Sequence, residues 1–117
     1  MFFTHTTLSQ KTKIIKATSL LVLVMQRTVT DERLAKYFDY TRRALEKASQ
    51  AVDEKRKKEA LDFLDMSQRY FSDAQHFKEK GDIVTAFAAL NYAHGWLDAG
   101  ARIRLFLVHD SELFTVD

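Results

Sequence analysis

Apolar residues recur at intervals of three and four along most of the chain, and the intervals divide into three stretches. Leu34, Phe38, Thr41, Leu45, Ala48 and Val52 make a heptad-like seam on a first helix. Its start is marked by the cap residues Thr28 and Thr30, with Asp31 and Glu32 in the first turn, where the helix dipole favours negative charge. Asp53 is placed to cap a second helix, along which Ala60, Phe63, Leu64, Tyr70, Phe71, Ala74 and Phe77 share one broad face. Gly81, following the last-turn Lys78 and Lys80, can take the left-handed conformation that closes this helix, and Asp82 can cap the next.

The third stretch, expected to be helical from Ile83 to Val108, carries two apolar seams. One is Ile83, Ala86, Leu90, Ala93, Leu97 and Gly100; the other is Ala89, Tyr92, Trp96, Ala99, Ile103 and Phe106. Two seams predict contact with both other helices at once. Connections of a few residues force neighbouring helices antiparallel, so the expected fold is all-α, an antiparallel up-down-up three-helix bundle over residues 28–117. In the tail His109 to Asp117, Leu113 and Phe114 are expected to fold back onto the end of the bundle.

Residues 1–27 form a leader of different character. Three of the 18 basic residues and none of the 16 acidic ones fall within the first 24 positions, so the basic balance belongs to the leader. The bundle itself offers no global attraction for nucleic acid. Ile14 to Met25 is an apolar run interrupted by Lys16, shorter than the roughly 20 residues a membrane-spanning helix needs. It has a basic and an apolar region like a secretory signal but lacks a small-residue cleavage site. Three readings stay open: a disordered segment, an extra helix or strand laid on the bundle, or a start-site artefact with translation beginning at Met25. The chain has no Cys, which removes disulfides, thiolate zinc sites and a cysteine nucleophile and fits a cytoplasmic protein. It also has no Pro to break a helix from within.

The string from a Tyr-rich helix through His76-Phe77 and Gly81-Asp82 to Ala86, Leu90 to Ala93, Gly95 to Gly100, Arg102 and Leu105-Phe106 resembles the archaeal domain-of-unknown-function family 357. The resemblance covers roughly residues 30 to 108 and rests chiefly on the run Asn91 to Gly100. It implies a short three-helix bundle and brings no activity, cofactor or catalytic residue. At position 104 the resemblance leads one to expect Gly before Leu-Phe, where this chain has Arg104.

On the third helix Asn91, His94, Asp98 and Arg102 lie three or four apart, a polar stripe between the seams that also contains Gly95. A glycine within a helix costs about 1 kcal/mol relative to Ala, so Gly95 marks a notch for another backbone or for a ligand. If the hairpin folds about Gly81, His94 falls opposite Gln68 and Arg69, so a ligand or partner site would draw on Arg69, Asn91, His94, Gly95, Asp98 and Arg102. The competing description is an exposed face with an Asp98–Arg102 ion pair.

Asp73 and His76 have the spacing of a helical metal-ligand pair, but the same register separates His76 from His94 by roughly 12 Å, so no metal site and no cofactor is expected. Arg102 and Arg104 with His109, and Arg69 with His76, match the R-x(4 to 6)-H spacing of HEPN-type helical ribonucleases, a permissive pattern. The basic run Lys55 to Lys58 is interspersed with Asp53, Glu54 and Glu59 and has no aromatic placed for base stacking, so nucleic acid is not expected as a partner. Together these features predict a small module, not an enzyme, that associates with itself or with another protein, with no membrane span and no catalytic residue. The alternative is a nucleotide- or RNA-handling domain related to HEPN-type folds. An exposed apolar patch would favour the first, and a concave pocket at Gly95 walled by His94 and Asp98 the second.

Overall fold

The computed structural model describes residues 27–116, and within them residues from Asp31 onward form one compact unit. Three helices make up this unit: α1, Asp31–Ser49; α2, Lys57–Glu79; and α3, Ile83–Arg102. They form the expected up-down-up bundle, with no strand among the described residues. The most extensive pairing is between α2 and α3. The leader, residues 1–27, lies outside the described residues except for its last position.

The hairpin between α2 and α3 closes as its residues dictate. The Asp82 amide donates to the Phe77 carbonyl and the Gly81 amide to the Lys78 carbonyl, the paired bonds of a Schellman cap, with Gly81 at φ +81°. The Asp82 carboxylate then accepts from the Thr85 amide and opens α3. This turn sets the register. Ser67 Oγ donates to the Ala93 carbonyl at 2.9 Å, and T-shaped pairs join Tyr70 to Tyr92 and Phe63 to Trp96.

α1 ends three residues before Val52, because the amides of Gln50 and Ala51 bond back to Lys47 and Ala48 and turn the chain away. Asp53 caps a 3₁₀ turn, Glu54–Arg56, through the Lys55 amide, and α2 starts only after it.

α3 stops at Arg102, six residues short of the expected Val108. The Leu105 amide donates to the Gly100 carbonyl and the Arg104 amide to the Ala101 carbonyl, which is a second Schellman cap, with Arg104 at φ +64° in the position Gly81 holds in the first. An L side chain there costs roughly 1 kcal/mol. Burial of the next residues offsets that cost: Phe106 folds back, its ring lying directly on Gly100, and the chain makes an antiparallel bridge between Val52 and Phe106. Leu105, Phe106, Leu113 and Phe114 are all fully buried, joining Ala44, Ala48, Leu64, Leu97 and Ala101 in the core. Folding back of the tail is therefore as expected, but it begins at Arg104 rather than His109.

The second apolar seam is the other correction. The first seam is buried from Ala86 to Gly100, whereas Tyr92, Ala99 and Ile103 are exposed and Trp96 is half-buried. α1 meets α3 on the flank carrying His94, opposite the second seam, so that seam has α2 along one edge and solvent beyond.

Candidate functional site

The six residues expected to share a site separate into four places. His94 turns toward α1 and the tail. Because a carbonyl can only accept, its Nε2–H donates to the Leu113 carbonyl at 2.8 Å, and Nδ1 lies 3.0 Å from the Thr41 hydroxyl, within hydrogen-bond reach. Thr41 is itself buried, and the Tyr40 ring packs beside the imidazole. Asp98, one turn on, accepts from the Thr115 amide at 2.9 Å and the Thr115 hydroxyl at 3.2 Å, with an oxygen 3.8 Å from His94 Nε2. These two polar side chains of α3 thus hold the tail against the bundle.

The tail has a further tie in Asp110, whose carboxylate meets the Lys47 ammonium and accepts from the Glu112 amide. The hydrogen bond from Lys47 holds the Asp110 carboxyl below the usual carboxylate range.

Asn91 and Gly95 lie on the outward side of α3. A Cβ placed on Gly95 would meet nothing within 4 Å, so the notch expected there admits no other part of the described chain. Together with Tyr92, Trp96 and Ala99 they line a shallow apolar hollow. The close approach sits instead at Gly100, where a Cβ would fall 2.2 Å from the Phe106 ring.

Arg69 points out from α2 and pairs with Asp65 at 2.9 Å, apart from His94, which faces α1. Arg102, at the last turn of α3, lines a hollow with Arg104 and His109. The concave pocket that would have joined Gly95 to His94 and Asp98 is thus replaced by an outward apolar surface and an inward polar tie.

The outward surface extends along the whole of α3. Val84 is 72% exposed, Tyr92 54% and Ile103 46%, with exposed Ala88, Gly95 and Ala99 between them at helical spacing. Trp96 and Tyr92 stand edge to face with Phe63 and Tyr70, which fixes their rings at the border of the strip.

The remaining candidate chemistry is engaged or dispersed. Arg56 pairs with Glu59 and donates to the Ile103 carbonyl, and Lys57 lies 4.0 Å from Glu54, so the basic run serves its own connector. Among the described residues no group of three or more His, Asp or Glu side chains could hold a metal ion, and no helix is long and apolar enough to cross a membrane.

In comparison with known proteins, the family model described as a protein of unknown function (DUF357) matches residues 36–106. Neither a curated protein nor a solved structure matches the chain.

Proposed function

The chain belongs to the DUF357 family of proteins of unknown function, and from its surface chemistry we propose that it is a non-enzymatic interaction module whose docking face is the outward side of α3. The observation that carries this reading is the strip of Val84, Ala88, Tyr92, Ala99 and Ile103 left exposed around the open notch at Gly95. Apolar groups aligned in this way along one helix are stabilised by covering them.

The small residues let a second helix approach closely, while Tyr92 and the half-buried Trp96 supply rigid aromatic anchors of the kind that dominate interface energetics. The opposing reading, a polar reaction centre on α3, loses support because His94 and Asp98 already spend their hydrogen bonds on Thr41, Leu113 and Thr115.

The face accepts either a second copy of the chain or another protein, and one experiment covers both. Tagged wild-type protein and Tyr92→Glu are recovered from the native cell, and their masses are compared by sedimentation at rising concentration. The expected outcome is that wild type self-associates or brings down a protein that Tyr92→Glu does not, with equal helical circular dichroism for the two. Identical behaviour of both proteins in both assays would contradict the assignment.

A further inference from the structure

The hollow at the foot of α3 has a composition the docking face does not explain. It measures about 490 Å³ and is lined by Ala101, Arg102, Arg104, Phe106, Leu107, Val108, His109 and Val116. The volume falls within the range of small-molecule sites, roughly 300–1,000 Å³. Among its described lining residues three are basic and none is acidic.

Basic residues at a helix C-terminus ordinarily serve the last carbonyls, but here three of the last four already accept from backbone amides. Ala99, Gly100 and Ala101 accept from the amides of Ile103, Leu105 and Arg104, and Ile103 accepts from Arg56. Among the described residues neither Arg104 nor His109 takes part in an ion pair.

Arg104 moreover occupies a left-handed backbone position, φ +64°, that glycine fills without strain. A long cationic side chain kept at a strained position on the rim of a basic hollow is an outlier of the kind that accompanies binding sites. From this combination we propose that the hollow binds a small phosphate monoester, with its phosphate between Arg104 and His109 and its apolar body against Leu107, Val108 and Val116. The guanidinium fork suits a dianionic phosphate, and the imidazole adds a further donor. The inference is independent of the docking face, since it uses other residues.

Phenyl phosphate is the probe, with inorganic phosphate and potassium chloride of matched ionic strength as comparisons. The full chain is expected to melt higher with phenyl phosphate than with the chloride, and its His109 imidazole resonances to shift in a saturable way. Arg104→Gly separates binding from stability because the two move in opposite directions. Without ligand this variant is expected to melt about 5 °C higher through relief of strain, while its affinity for phenyl phosphate falls roughly tenfold or more.

Absence of any saturable response in the wild-type chain, or unchanged affinity in Arg104→Gly, would overturn the proposal. Inorganic phosphate binding as tightly as phenyl phosphate would also overturn it, because the apolar wall would then contribute nothing.

Discussion

Two glycines five residues apart on α3 have opposite reasons to be there. Gly100 is required by sterics: any side chain would overlap the buried Phe106 ring, which would have to shift from the core to admit it. Gly95 faces open space and gains nothing from lacking a Cβ within the described chain. Gly100→Ala is therefore expected to destabilise by about 1–3 kcal/mol through overpacking, and Gly95→Ala to stabilise by about 0.5–1 kcal/mol through helix propensity. Denaturant unfolding of the two variants checks both signs. A loss on Gly95→Ala in dilute protein would show that the notch is filled by the chain itself.

The sequence made Gly95 look like the packing glycine because spacing places residues on a face without revealing which face a neighbour covers. Arg104 escaped notice as a helix stop for the converse reason. It holds a conformation typical of Gly without being Gly, and the apolar run after it continues a helical pattern.

At the level of elements, the returning tail matters as much as any helix. Leu113 and Phe114 are buried in the core, and the tail carrying them is held by three polar ties from two helices: His94 and Asp98 on α3 and Lys47 on α1. Phe114→Ala should cost about 3–5 kcal/mol, a large share of the stability of a domain this small. His94→Ala should cost roughly 2 kcal/mol by leaving the Thr41 hydroxyl and Leu113 carbonyl without partners. Thermal melts read both, and a loss below about half a kcal/mol in either, the size of an ordinary surface substitution, would mean the tail is only loosely attached.

The Asp110 tie adds a dependence on acid. Because its carboxyl titrates lower when folded than when unfolded, its stabilisation is full above the ordinary carboxylate pKa, about 4, and is lost as pH falls through the lowered folded value. Asp110→Asn should remove that component, making the loss of stability below pH ~4 shallower than in wild type.

The two stop-and-start signals at Gly81 and Asp82 were legible in the sequence because each works through its own side chain or its absence. The tail's ties were not, because His94 and Thr41 are 53 positions apart and only folding brings them together.

For the molecule as a whole, the separation of an inward polar tie from an outward apolar strip on one helix organises both its stability and its proposed role. The all-α bundle was readable from periodicity alone, since three amphipathic stretches with short connections leave few other arrangements. What periodicity missed was that α3, apolar on two sides, is covered by the other described elements on only one.

Among the described residues burial begins at Leu34, and we propose that the part from residue 25 onward folds by itself. Deleting residues 1–24 should leave helical circular dichroism and a cooperative melt. A non-cooperative melt would show that the core needs the preceding residues.

The most direct test of the central claim is hydroxyl-radical footprinting of the protein inside its native cell against the purified, dilute chain. Tyr92, Trp96 and Ile103 should be protected in the cell, while Leu61, exposed on α2 among Lys58, Glu59, Asp62 and Asp65, should react equally in both. Equal reactivity of the α3 residues in the two settings would contradict the claim that this face is where the protein meets its partner.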